Sequence, residues 1–261
     1  MSHFPFPPTT ARLIQQERSR VENLGLLLDR YVPWGQGWAM GGKEKREILD
    51  EVVRRAESNA IQRLAGAHAD RWSQRAEMLV DAHLFEANPE WRLVVGLGGT
   101  SVLETAMTLH RIYGLPLIPG SAIKGMARAY AELVGDEDTS QIETVFGPPP
   151  GSKEKKLRAG EVIFLDAVPL PPLCLEVDVM NPHYGEWYLK KHPAPGDYLS
   201  PVPVAFLTVA RGTRFRFAVA ARRSGQGEQV EKAAEWVKKG LEEMGIGAKT
   251  AAGYGFFQGS Q

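Results

Sequence analysis

One cysteine stands among 261 residues. That lone thiol, Cys174, excludes an intrachain disulfide and any zinc site built on a cysteine cluster, and it fits a reducing, cytoplasmic setting. Net charge is missing too. Thirty-one lysines and arginines balance 31 aspartates and glutamates, so any basic surface has to be local. No apolar run approaches the roughly 20 residues of a membrane span, and the opening Met1-Ser-His-Phe-Pro-Phe-Pro-Pro8 lacks the apolar core of a secretory leader. No membrane partner is expected. His68, His83, His110, His183 and His192 show no His-x-x-x-His spacing, so neither a metal nor another cofactor is expected.

Two phosphate-binding fingerprints are incomplete. Gly96-Leu-Gly-Gly-Thr-Ser101 follows an apolar run, but Ser101 holds the third glycine position of a dinucleotide loop. Leu117 stands where an acidic residue would meet a ribose. In Gly247-Ala-Lys-Thr250, Ala248 replaces the glycine before the lysine, and a short strand rather than a helix follows.

What is present is ample core material: 43% of the residues are hydrophobic. Residues 1–90 read as a helical region, with helices over 11–31 and 43–87 around a glycine- and tryptophan-rich loop. Trp34 and Trp38 in that loop either stack on a base or anchor packing. From residue 91 the texture changes. Strands are expected over 91–97, 161–166, 173–179, 204–210 and 214–221, and residues 105–113 form a further strand or hairpin arm. Helices are expected from Ser121 to Val134 and from Glu228 to Met244, each stopped by a glycine. A proline-rich irregular insertion covers 181–203. The order β, α, β, β, α, glycine loop, β is the split βαβ arrangement, so the fold class is α+β with a ferredoxin-like, RNA-recognition-like core. Helices on one face of such a sheet leave the other open to a partner.

Cations concentrate at three places. Gly114-Leu-Pro-Leu-Ile-Pro-Gly-Ser-Ala-Ile-Lys-Gly-Met-Ala-Arg128 reads as a strand end, a Pro-Gly turn and a helix capped by Ser121. Lys124 falls near the third helical position, where the macrodipole disfavours a cation, and Arg128 shares its face. A bound anion accounts for that pair, and so does an ordinary solvated helix face. Gly247, Lys249, Thr250 and Gly253 form a second group. This loop either offers backbone N–H groups to phosphates or simply makes a tight turn. The third is a strand on which Arg214, Arg216 and Arg222 alternate with Phe215, Phe217 and Val219, which gives it one basic face, for a ligand or for solvent. The expected fold brings the Ser121 helix start and the Lys249 loop to one rim. Asp166 and Asp178 end strands and cap turns, while Asp178 and His183 are the remaining candidates for acid–base chemistry.

Ile118-Pro-Gly-Ser-Ala-Ile-Lys-Gly-Met-Ala-Arg128 resembles the Pro-Gly-Ser-x-x-Lys-Gly-x-x-Arg signature of the RAMP superfamily of CRISPR-associated proteins. Gly247-Ala-Lys-Thr-Ala-Ala-Gly-Tyr-Gly-Phe256 resembles its C-terminal glycine-rich loop. The stretches 95–105, 175–184 and 200–207 resemble one branch, the sixth-subunit family of the Cmr (type III-B) effector complex. The resemblance covers residues 91–257 and implies a RAMP domain over 91–261 beside the helical region. It also implies a non-catalytic backbone subunit. Its partners would be CRISPR guide RNA, touched toward the 3′ end, target RNA and other Cmr subunits. The site residues carried by these readings are Ser121, Lys124, Arg128, Arg214, Arg216, Gly247, Lys249, Thr250 and Gly253, all for RNA and none for catalysis. The competing expectation is a metal-independent RAMP endoribonuclease that processes CRISPR transcripts, with a histidine as base.

Overall fold

The computed structural model describes residues 3–133, 138–149, 158–191, 193–196 and 201–259. Val134 and Gly135 of the expected helix stop, the lysines Lys153, Lys155 and Lys156, and His192 lie outside the described residues.

Four helices open the chain: α1 (Pro8–Glu17), α2 (Leu24–Asp29), α3 (Gly42–Ala56) and α4 (Asn59–Glu77). Asn23 and Ser58 cap α2 and α4, their side chains accepting the N–H groups of Leu26 and Ile61. On α3, Ile48, Leu49, Val52 and Ala56 are buried at helical spacing. The helical region ends ten residues or more before the expected boundary, because His83–Pro89 is strand β1. Its Phe85, Ala87 and Pro89 point inward at period two, a rhythm that Glu86 and Asn88 obscure in the sequence. Residues 91–97, the expected first strand, make only one isolated bridge, Leu93 to Val209. Residues 105–108 fold back on 95–97 through hydrogen bonds from Ala106 to Leu97 and from Thr108 to Val95, a loose hairpin arm.

The remaining elements are α5 (Gly120–Leu133), α6 (Thr139–Phe146), β2 (Val162–Phe164), β3 (Val168–Pro169), β4 (Leu175–Met180), α7 (Gly185–Tyr188), β5 (Val204–Val209), β6 (Phe215–Ala221), α8 (Gly227–Glu243) and β7 (Phe257–Gln258). The main sheet runs β2-β6-β1-β7, all antiparallel, with β3 pairing beside β2 along β6. A second sheet pairs β4 with β5. The class is α+β.

Helices α5 and α8 pack together, and α8 lies against β6, β1, β2 and β7. Phe85 stacks on Phe217 at 5.2 Å, Phe257 meets Phe217 edge-on at 5.7 Å, and Trp236 stacks on Phe146 at 5.5 Å. Each such ring, fully buried, stabilises the fold by about 2–3 kcal/mol. The two helices meet at Gly240, where a Cβ would stand 2.1 Å from Met126 Sδ. The opposite face is not open as expected. Helix α4 contacts β1, β3 and β6, and Ala69 packs with Val168, Leu170 and Trp72 in a small core of its own. Ala218 and Ala220, on the outward positions of β6, are as buried as the phenylalanines beside them.

Candidate nucleic-acid interface

The start of α5 is built around Gly120. Its N–H donates to Asp166 Oδ1 at 2.7 Å, and a Cβ there would stand 2.3 Å from the Phe164 carbonyl oxygen. The helix therefore begins one residue before the expected start, and Asp166 rather than Ser121 occupies the cap. Ser121 is exposed. Lys124 becomes the fifth helical residue, a turn inward, where the dipole weighs less against it. Its oddity lies elsewhere. Burial first, then the charges of Arg128 and Arg222, hold its ammonium below the ordinary lysine value. Arg128 donates from Nε to Glu132 at 2.7 Å and from Nη1 to the Gly147 carbonyl at 3.1 Å. Arg222 donates to the Gly160 carbonyl at 2.9 Å. Lys124 has no carboxylate partner among the described residues. Three cations thus crowd one corner of the molecule, and among the described residues a single carboxylate, Glu132, pairs with one of them.

The glycine-rich loop after α8 is elsewhere. Ile246 donates to Gly255, Ala248 to Val94 and Gly255 to Arg92, so the loop is stitched to residues 92–94. Gly247 (φ 95°) approaches Val94 so closely that a Cβ would lie 2.4 Å from its oxygen, and Gly255 (φ 73°) would clash with Ile246. Gly253, also left-handed, closes a 3-10 turn that begins at Thr250. Lys249 is left-handed too, and its Nζ lies 5.6 Å from the ring centres of both Phe206 and Tyr254. The loop leads into β7 at one edge of the sheet, whereas Asp166 and the start of α5 lie beside β2 and β3 at the other. Three strand spacings separate those edges, about 14 Å. The start of α5 and the Lys249 loop therefore lie beside opposite edge strands of the main sheet.

The arginines of β6 are paired. Arg214 Nη1 reaches Glu86 at 2.7 Å, Arg216 reaches the same carboxylate at 2.5 Å, and Arg216 also donates to Ser73 Oγ at 2.6 Å. The alternation is real, but Glu86 on β1 offsets one of the two charges and Ser73 on α4 accepts a further guanidinium N–H, so most of the basic face is already engaged.

A brace missed in the sequence joins the two sheets. Arg92 donates to Asp178 at 2.7 Å and to Glu176 at 3.1 Å, while Tyr254 donates to Asp178 at 2.5 Å. Burial would raise the Asp178 carboxyl, but hydrogen bonds from Tyr254 and the Val179 N–H, with the Arg92 charge, hold it below its ordinary range. Burial and the bond to Asp178 push the Tyr254 phenol up to about 12. The available signal was the spacing of Glu176 and Asp178, which puts both acids on one face of β4. Asp178 does not engage His183, which is exposed and meets Tyr184 at 6.4 Å. Among the described residues no three His, Cys, Asp or Glu side chains are grouped to hold a metal, and no helix is long and apolar enough to cross a membrane. Trp34 packs edge-on against Trp38, which also meets His3.

The RAMP superfamily profile matches residues 92–258, and the chain belongs to that superfamily. Among individual relatives, it is 38% identical to the CRISPR system Cmr subunit Cmr6 of Pyrococcus furiosus, over 63% of this chain and 64% of that protein. It is 28% identical to the corresponding subunit of Saccharolobus solfataricus, over 82% of this chain and 70% of that one. Its fold matches a chain of the type III-B Cmr-beta complex bound to cognate target RNA, with a TM-score of 0.60 at 23% identity, over 83% of this chain and 72% of that chain. The chain thus spans a little under two thirds of the length of the Pyrococcus relative.

Proposed function

We propose that this chain is a non-catalytic, RNA-binding backbone subunit of a type III-B CRISPR effector. It holds guide RNA toward its 3′ end beside target RNA and neighbouring Cmr subunits. The observation that carries the reading is Lys124: half-buried, crowded by Arg128 and Arg222, and without a carboxylate partner among the described residues. A phosphate oxygen set among the three would relieve that crowding. Similarity to the Pyrococcus and Saccharolobus subunits supplies the setting. The strand order β2-β6-β1-β7, with α5 after β1 and α8 after β6, supports a ferredoxin-like core. In this reading the RAMP unit begins at β1, with α1–α4 as its helical annex. Lys249 and Thr250 contact the same RNA from the other edge, independently of Lys124, while Ser121, Arg214, Arg216, Gly247 and Gly253 shape the surface. No observation favours the endoribonuclease reading: among the described residues His183 meets the Tyr184 ring and no acid–base partner.

The test is a titration of fluorescent guide RNA at several salt concentrations. Lys124→Ala should weaken binding and reduce the slope of log affinity against log salt by about one unit. The whole reading fails if wild type shows no salt-dependent binding, or if the variant keeps both affinity and slope.

A further inference from the structure

A cavity of about 380 Å³ lies between α4, the turn at residues 110–117 and residues 165–168, and Lys124 is not among its lining. That volume is near the lower end for small-ligand sites, room for one nucleotide rather than for a strand. His68, Arg71, Trp72 and Arg75 line it from α4 at positions i, i+3, i+4 and i+7, one helical stripe. The face that α4 buries runs through Ile61, Ala65, Ala69, Ser73 and Ala76, and this stripe flanks it, with Arg71 and Arg75 exposed. The stripe carries two guanidinium groups and an imidazole.

Each polar group is available for a ligand. His68 is 9% exposed, and no hydrogen bond to its ring nitrogens is formed among the described residues. It is pressed between His110 at 5.2 Å and Tyr113 at 4.4 Å. Burial, then the nearby His110, Arg71 and Arg75, lower it to about 4, so it is neutral at neutral pH and offers one donor and one acceptor. His110 Nδ1 accepts the N–H groups of Ile112 and Tyr113 at 3.2 and 3.3 Å, which leaves Nε2–H as a donor. Arg71 lies over the Tyr113 ring at 5.6 Å and donates to the Ala67 carbonyl, with no ion pair among the described residues. Arg75 has no ion pair among the described residues. Among the described residues the one carboxylate on the wall is Asp166, already bonded to the Gly120 N–H. The balance is two cations against one anion beside aromatic walls.

Guanidinium groups select phosphate, and flat walls of Tyr113 and Trp72 select a planar ring. We infer that this cavity takes one nucleotide, free or as a unit of an RNA chain, with its phosphate on Arg71 and Arg75 and its base against Tyr113 and Trp72. The inference deepens the RNA-binding reading and rests on it only for the source of the nucleotide.

Calorimetric titration of the full chain with AMP and UMP, and separately with adenosine and inorganic phosphate, tests it. A nucleotide should bind at least about tenfold more tightly than either fragment, since it engages both walls. Arg75→Ala should weaken the nucleotide about tenfold at unchanged melting temperature, because Arg75 is exposed and has no ion pair among the described residues. His68→Gln should alter the ratio of AMP to UMP affinity. Lys124→Ala should leave nucleotide binding as it is. The inference is overturned if neither nucleotide binds at millimolar concentration, or if Arg75→Ala binds as wild type does. RNA that displaces AMP identifies an RNA unit as the occupant. RNA that binds through Lys124 without displacing AMP identifies the free nucleotide. RNA binding with no nucleotide binding removes the cavity alone, whereas nucleotide binding without RNA binding removes the RNA-subunit reading and keeps the cavity.

Discussion

Lys124 on α5 and Arg216 on β6 look alike in the sequence: each is a cation among apolar residues with a second cation on the same face. Their surroundings differ. Arg216 faces Glu86 across the strand pair and Ser73 above it, and all three of its guanidinium nitrogens have partners. Lys124 faces Arg128 and Arg222. The first arrangement lowers the energy of the folded chain and the second raises it. A surface cation that folding leaves uncompensated is the one with capacity for an external anion. The brace of Arg92, Asp178 and Tyr254 belongs with Arg216: charged, largely shielded and already satisfied.

Four measurements would break or sharpen that contrast. The largest effect is expected at the brace. Asp178→Ala leaves Arg92 and the Tyr254 hydroxyl without their shared acceptor and should cost about 2–3 kcal/mol in urea unfolding, less than for a fully buried pair because both ions keep some solvent. Arg216→Ala should cost about 1–2 kcal/mol, with guide RNA affinity reduced less than by Lys124→Ala. A drop in RNA affinity without loss of stability would place Arg216 with Lys124 and dissolve the distinction.

The third concerns acid. His68 ordinarily titrates at 6.5 and is lowered here to about 4, so the unfolded chain takes up its proton first as pH falls. Stability contributed at this site should therefore decline from pH 6.5 down to about 4 and then level off, and His68→Gln should flatten that limb in urea melts at stepped pH. An unchanged limb would mean His68 is no more burdened than a surface histidine. The smallest effect on stability is expected at Lys124. Lys124→Met should change unfolding free energy by no more than about 0.5 kcal/mol, and in the stabilising direction, because it relieves repulsion and keeps the stem packed. Clear destabilisation would make Lys124 a structural residue like Arg216.

The helices α3 and α8, the alternation of β6 and the Pro-Gly turn into α5 were legible because each is encoded in consecutive residues. Strand β1 was not, since Glu86, Asn88 and Pro89 suit a strand only when Arg216 and β7 lie alongside. Residues 91–97 have the composition of a strand, yet Arg92 turns toward β4 and only Leu93 finds a bridge, to Val209. Within the candidate site, the sequence singled out Lys124 and Arg128 but placed the helix cap on Ser121. The carboxylate that fills it, Asp166, comes from 46 residues away.

By itself the sequence determined the RAMP superfamily membership, the α+β class and the positions of the cations, because motif spacing and hydrophobic period are properties of neighbouring residues. Tertiary structure alone decided which cations are paired, that α4 covers the second face of the sheet, that the two glycine-marked motifs lie at opposite edges, and that His68 and His110 line one cavity. Pairing, burial and repulsion act between side chains that fold together from distant positions, and their energies depend on distance through space rather than along the chain.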